Sequence, residues 1–419
     1  MKSDEFVVAL DLGTTKVSAV VGQLVETTTA VTSNETATQI KILGVGKAPS
    51  SGIKKGVVVN IDATVEAINR AVEEAERMAG VDIQKVIVGV GGSHIKGLNS
   101  TGVVGIKGKE IERGDIDRVI DAARAVVIPA DRTALHVLPQ EFKVDDQDGI
   151  RDPLGMMGTR LESKVHIVTA AQSALQNIAR CCQKVNLQPV AYVLQPLASA
   201  KAVLSRDETE LGVALVDIGG GTTDIAIFHN GSIVHTAVLP LGGSHISQDL
   251  AIGLRTPQTE AERLKIASGC ALKTLISSSE TVEVPSVGGR PARVVDRKLL
   301  GEIIEPRFEE ILQMVNREII ASGYADTLGA GVVLTGGSTL MAGVIELAEF
   351  VFDLPVKRAA PDGLSGFADM VSSPIHSTGV GLLHWGINDR SALQRRSVSK
   401  GVASQKIKDQ VKNWFNDLF

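Results

Sequence analysis

The stretches Val8-Ala-Leu-Asp11-Leu-Gly-Thr-Thr-Lys16 and Val213-Ala-Leu-Val-Asp217-Ile-Gly-Gly-Gly-Thr-Thr-Asp224 decide how this chain is read. Each begins as an apolar run, reaches an aspartate, turns through glycine and threonine, and continues into a second apolar run. Val-Ser-Ala-Val-Val follows the first and Ile-Ala-Ile-Phe the second, with Asn230-Gly231 then at hairpin spacing. Both read as strand, turn, strand, with the acid at the end of the leading strand. The chemistry that fits is phosphate binding. Glycines let backbone N–H groups approach phosphate oxygens, and threonine hydroxyls add donors. A strand-end carboxylate opposite them suits Mg²⁺, which keeps much of its water shell. Two such hairpins facing each other would clamp a polyphosphate from both sides. One glycine turn is common in twisted sheets; a second copy with the same acid is not.

A third element, Gly329-Ala-Gly-Val-Val-Leu-Thr-Gly336-Gly337-Ser338-Thr-Leu-Met-Ala-Gly343, reads as a strand ending in Gly-Gly-Ser before a helix, where a flat base can lie against backbone. No GxxxxGK[ST] occurs, so a P-loop is excluded, and Gly89-Val-Gly91-Gly92 lacks the full dinucleotide fingerprint. Around these motifs strands and helices alternate, an α/β pattern. Phe6–Leu10, Val17–Val25, Ile42–Val45, Lys85–Val90, Lys164–Thr169 and Gly331–Leu334 read as strands. Asp62 offers an N-cap to a helix whose Val65, Ile68, Val72 and Ala75 share one face before Gly80. Further helices are expected near Asp115–Arg124, Thr259–Leu275, Leu299–Ser322 and from Leu340. Asp145–Arg160 reads as a polar loop and Ser277–Arg290 as a turn-rich stretch.

The chain has 419 residues, 44% hydrophobic and 22% charged, which implies two to four folded domains. A net charge of −5 argues against a globally basic nucleic-acid binder, and 3% aromatic residues against a base-stacking one. Cys181, Cys182 and Cys270 supply neither a disulfide framework nor a zinc site, so they are expected to pack in a reducing compartment. His94, His136, His166, His229, His235, His245, His376 and His384 show no metal-ligand spacing and are expected to be structural or exposed. No signal-peptide core and no membrane-spanning run is present, so the body is expected to be cytosolic.

The C-terminal end reads differently. Residues 388–404 are polar with scattered arginines and read as a flexible linker. In 405–419, Ile407, Val411, Trp414, Phe415 and Leu418 fall on one helical stripe, Phe419 ends it, and Lys406, Lys408 and Lys412 lie on its flanks. Residues 389–419 hold seven basic and three acidic residues in a chain that is acidic as a whole. That is the pattern of an in-plane membrane helix. A fully buried large side chain contributes about 1.5–3 kcal/mol, and each basic residue adds about 1 kcal/mol on anionic lipid.

At the three glycine motifs the sequence resembles the actin-like ATPase superfamily, and it is most similar to the FtsA family of bacterial cell-division proteins. The likeness extends through Val190–Leu204, Glu260–Leu272, Val282–Arg307 and Ser377–Trp385. It implies a duplicated, ribonuclease-H-like fold of two lobes with a small subdomain inserted in the first. The implied division is a first-lobe core (1A) over 1–83, 165–205 and 361–387, with the insertion (1C) at 84–164. The second-lobe core (2A) takes 206–243 and 326–360, and a small subdomain (2B) 244–325. The resemblance implies ATP and Mg²⁺ as ligands: Asp11 and Asp217 order the metal through water, and Gly13, Thr14, Thr15, Lys16, Gly219, Gly220, Gly221 and Thr222 hold phosphates. Glu262 and Lys265 would reach the nucleoside, Gly336, Gly337 and Ser338 would border the adenine, and Gln195 stands where actin orients the attacking water. Hydrolysis is expected to be weak at most.

The partners implied are a second copy of the chain in a head-to-tail filament, an anionic membrane surface, later division proteins, and the acidic C-terminal peptide of the tubulin-like FtsZ. Arg290, Arg293, Arg297 and Arg307 are candidates to meet that peptide. The expected place is the cytoplasmic face of the membrane at the division septum. The alternative is a small-molecule kinase of the same superfamily, which needs a general-base aspartate that the sequence does not single out.

Overall fold

The computed structural model describes residues 6–28, 36–107, 110–288 and 290–388. Strand β1 (Val7–Leu12) carries the first aspartate near its end and is buried along its whole length. It pairs antiparallel with β2 (Lys16–Thr28), which pairs antiparallel with β3 (Thr36–Pro49). Helix α1 (Ile61–Ala79) covers one face of this sheet, where Val8, Leu10 and Leu12 meet Ile68 and Val72. Its cap is Asn60, not the expected Asp62: the Asn60 side chain, on an extended residue, accepts from Ala63 N at 3.1 Å. Asp62 is already inside the first turn, where its carboxylate meets Lys184 at 2.8 Å instead. Gly80 ends the helix in the left-handed conformation, as the sequence predicts.

After β4 (Lys85–Val90), parallel to β1, the chain leaves the first sheet. Strands β5 (Lys96–Gly105), β6 (Arg132–Val144), β7 (Gln147–Ile150) and β8 (Arg160–Ala171) form a separate antiparallel sheet in the order β5-β8-β6-β7. Helix α2 (Arg113–Arg124) packs on it around Val119, Ala123, Phe142 and Leu161, a core of its own. The stretch read as a polar loop therefore holds β7, which pairs with β6. Strand β8 runs through position 164, so a division there would cut it. Helix α3 (Gln172–Lys184) and β9 (Gln188–Leu194) return to the first sheet, and α4 (Gln195–Val203) follows at once.

The second half repeats the plan. Strands β10 (Val213–Ile218), β11 (Thr223–His229) and β12 (Ser232–Leu239) form an antiparallel meander. Helices α5 (Gly243–Leu254) and α6 (Gln258–Ser268), the hairpin of β13 (Thr281–Val284) with β14 (Arg293–Asp296), and α7 (Arg297–Ala321) come next. Helix α6 stops before the expected Leu275, because the chain turns extended at Gly269 and Lys273–Leu275 forms its own short turn. The core here rests on Ile304, Phe308, Leu312 and Val315, successive turns of one α7 face and wholly buried. Strand β15 (Val332–Thr335) lies parallel to β10, and after a short turn at Gly337–Leu340 helix α8 (Val344–Phe352) leads to β16 (Val356–Arg358), parallel to β15. The chain then returns to the first lobe: β17 (Leu364–Gly366) pairs with β3, and α9 (Ser377–Asn388) covers that sheet's other face through Val380 and Leu383.

The two sheets thus share one plan. In β3-β2-β1-β4-β9 and β12-β11-β10-β15-β16 the leading strand has an antiparallel hairpin on one side and parallel strands on the other. This is the duplicated α/β fold of two lobes with a small subdomain inserted in the first. The inserted sheet also reaches the second lobe. Asn99 Nδ2 donates to Val234 O at 3.1 Å and Gln140 Nε2 to Ile233 O at 3.0 Å, side chains covering edge strand β12. His166 bridges the same seam: its Nδ1 donates to Asn99 Oδ1 at 2.7 Å, and its Nε2 accepts from Thr236 Oγ1 at 2.8 Å.

Cys181, Cys182 and Cys270 are buried free thiols. Among the described residues no helix is long and apolar enough to cross a membrane. The linker expected over 388–404, beyond its first residue, and the helix expected over 405–419, with Ile407, Val411, Trp414, Phe415, Leu418 and Phe419, lie outside the described residues.

Candidate functional site

The two echoing turns close in the same way. Gly13 N donates to Lys16 O and Gly219 N to Thr222 O, each at 2.9 Å. They then meet across the cleft between the lobes. A Cβ on Gly221 would stand 2.5 Å from Thr14 Oγ1, and one on Gly220 would stand 2.3 Å from Thr15 Cγ2. Only glycine allows that approach. The start of α5 buttresses the second turn, with Gly243 N donating to Gly219 O at 2.9 Å and Ser244 N to Gly220 O at 2.8 Å. Ser338, from the third motif, donates to the same Gly219 O at 2.9 Å. Gly336 has φ 89° and a virtual Cβ 2.4 Å from Asp217 Oδ1, so both its conformation and its space demand glycine.

The walls of one cavity of about 350 Å³, within the usual size of a small-molecule site, bring the expected residues together. Asp11, Gly13, Thr14, Thr15 and Lys16 come from the first lobe, together with Gln195. Asp217, Gly219, Gly220, Gly221 and Thr222 face them from the second. Glu262, Lys265, Gly336, Gly337 and Ser338 complete the lining from the second lobe. Glu262 and Lys265 are more than a solvated helix pair: Lys265 is 9% exposed and donates to Gly243 O at 3.0 Å as well as to Glu262 Oε2 at 2.8 Å. Ile266, Leu340, Met341, Pro374 and Ile375 add apolar surface there, which suits the face of a base.

Strand register explains a residue that the sequence reading left without a role. Asp11 sits opposite Ser18 and Asp217 opposite Asp224, in two hairpins of identical spacing. Asp224 therefore shares the strand face of Asp217 and reaches the cleft. The seven-residue offset from Asp217 carries the sequence signal for it. Pro374 and Ile375 carried no such signal.

Three buried carboxylates facing one cleft resist ionisation. Burial pushes Asp217 up to about 6, with Asp11 adding to the rise and the Ser199 hydroxyl opposing it. Burial and then the neighbouring Asp217 push Asp224 up to about 7. Burial also raises Asp11, against the pull of Lys16. Thr222 Oγ1 donates to Asp224 Oδ2 at 3.0 Å, and the Gly92 backbone N–H also favours the charged carboxylate. Lys16 Nζ is 4.0 Å from Asp11 and donates to Ile375 O at 2.7 Å. Among the described residues no three such groups stand close enough to ligate one ion directly. The donor set suits a hydrated divalent cation beside phosphates, with water between ion and carboxylate.

Gln195 opens α4, and its Nε2 donates to Asp11 Oδ1 at 2.9 Å, which places the amide beside the acids. The candidate arginines differ in their commitments. Arg307 pairs with Asp249 and Glu310, Arg297 with Glu280, and Arg293 donates to Leu254 O. Arg290 is exposed.

Two like-patterned lobes gripping one acidic, glycine-lined cleft define an actin-like ATPase fold. Solved structures agree at the level of fold: the PilM-PilN type IV pilus biogenesis complex is similar with a TM-score of 0.65 at 14% identity, over 91% of this chain and 98% of that one. MreB5 of Spiroplasma citri bound to ADP gives 0.56 at 14% identity, over 93% and 98%. The chain belongs to the FtsA family of cell division proteins. The profile for "Cell division protein FtsA" matches residues 214–381, and the one for "SHS2 domain inserted in FTSA" matches 92–169. "Cell division protein FtsA" of Pseudomonas aeruginosa is 47% identical over 100% of this chain and 99% of its own length. The Escherichia coli K12 relative is 38% identical over 96% and 95%, and that of Bacillus subtilis 39% over 98% and 89%. This match along the whole chain sets aside the small-molecule kinase.

Proposed function

We propose that this cell-division protein binds ATP with Mg²⁺ in the cleft and uses it to set the angle between its lobes. In that state it assembles head to tail and tethers FtsZ filaments to the cytoplasmic face of the membrane at the septum, where later division proteins join. The observation that carries the reading is the contact of the two matched turns, Thr14 and Thr15 against Gly221 and Gly220, at the mouth of a cleft holding Asp11, Asp217 and Asp224. The turns and Lys16 would hold phosphate oxygens, and the buried acids would take the hydrated metal, which supplies charge neutralisation. Glu262 and Lys265 would hold the ribose, and the Gly336–Ser338 turn with Met341 would flank the base. Gln195 would position water for slow hydrolysis.

The arginines fit a staged reading of the FtsZ contact. Arg290 is exposed for a first encounter, and Arg297 and Arg307 would exchange their internal acids for those of the peptide. The stripe from Ile407 to Phe419 with its lysines would lie in the membrane plane. Titration calorimetry with ATP and Mg²⁺ tests the cleft: saturable binding that Asp217→Ala abolishes is expected, and equal binding by both proteins refutes it.

A further inference from the structure

One helix face touches both lobes' acids. Gln195 and Ser199 are four residues apart on α4 and so lie on the same face. Gln195 Nε2 donates to Asp11 Oδ1 at 2.9 Å, and one turn later Ser199 Oγ donates to Asp217 Oδ2 at 2.9 Å. Thr378 Oγ1, on α9, reaches the same Asp217 oxygen at 3.4 Å and the Ser199 hydroxyl at 3.0 Å. Ser199 is wholly buried and Thr378 is 9% exposed. The other oxygen of Asp217, Oδ1, faces Gly336. Both hydroxyls belong to the first lobe, whereas Asp217 ends a strand of the second. Helix α4 packs on α9 and touches β10 and β11 across the cleft floor.

We infer that Ser199, supported by Thr378, is a positioning residue for the metal: it holds the second-lobe aspartate at a set distance from the first-lobe aspartate, with α4 as the ruler between them. The assignment rests on the proposed Mg²⁺-nucleotide site and gives that site a requirement on lobe geometry. If the lobes rotate apart, Asp217 leaves the Ser199 hydroxyl, and the two acids no longer frame one hydrated ion. The Ser199 hydroxyl bonds Asp217 and Thr378, not Glu262, Lys265 or the Gly336–Ser338 turn.

The test is nucleotide binding by calorimetry, with Mg²⁺ titrated at fixed ATP and again in EDTA. Ser199→Ala removes one oxygen from a buried helix position, and a thermal melt reports its folding. The expected result is a Mg²⁺ midpoint raised about tenfold, the size of one charge-assisted hydrogen bond, with metal-free affinity unchanged. Thr378→Val should move the midpoint the same way by less, and Thr378→Ser, which keeps the hydroxyl, should restore it. An unchanged midpoint in Ser199→Ala, or an equal loss with and without Mg²⁺, overturns the assignment while leaving the cleft reading intact. If the unmodified protein takes up no nucleotide, the cleft reading fails and the positioning role falls with it.

Discussion

Asp224 shows how one side chain can be costly to the fold and useful to the site. Burial and Asp217 push it up to about 7, so its ionised form is strained near neutral pH. Asp224→Asn should raise the melting temperature of the nucleotide-free protein at pH 8 and weaken Mg²⁺-dependent ATP binding, two opposite changes read by melting and calorimetry on one variant. At Gly336 the backbone decides. With φ 89° and Asp217 Oδ1 in the place of a side chain, Gly336→Ala should displace the carboxylate or the turn. A loss of nucleotide affinity of about tenfold or more is expected, the scale of a disturbed charged hydrogen bond, and wild-type affinity would refute it.

Among the elements, α7 and the inserted sheet carry measurable weight. Phe308 is wholly buried in the α7 core, so Phe308→Ala should destabilise the protein by about 3–5 kcal/mol, measured by urea unfolding. The seam between the inserted sheet and β12 depends on a neutral His166, which burial lowers to about 3, and His136 is lowered by burial to about 4. Both take up protons more readily when unfolded. Their contribution is therefore complete above about pH 6.5 and is lost as pH falls toward those values, at up to about 1.4 kcal/mol per pH unit for each histidine. His166→Gln should flatten the acid limb of the stability profile below pH 6.5, and an unchanged slope would count against this account.

For the whole molecule, the two lobes meet at the facing turns, at α4, at the start of α9 and at the seam between the inserted sheet and β12, so a ligand that bridges the turns adds to the contacts that hold them together. Saturating ATP with Mg²⁺ should slow proteolysis across the lobes relative to ATP in EDTA. Truncation before Gln405 should release the protein from anionic liposomes and leave ATP binding unchanged. Persistent cosedimentation of the truncated chain would assign the membrane contact to another part of the molecule.

The sequence by itself determined the duplicated hairpins, their acids and the glycine turns, because these depend on local rules: apolar strands, a turn that only glycine permits, an acid where the strand ends. It located the cap of α1 two residues late and read β7 as loop, since capping depends on which residue remains extended and a polar edge strand leaves little apolar alternation. The hairpin spacing already pairs Asp224 with Asp217, but only the tertiary structure decided that Pro374 and Ile375 line the cleft and that α4 spans both acids. Those relations arise from elements far apart in the chain, and no local pattern encodes a distance between them.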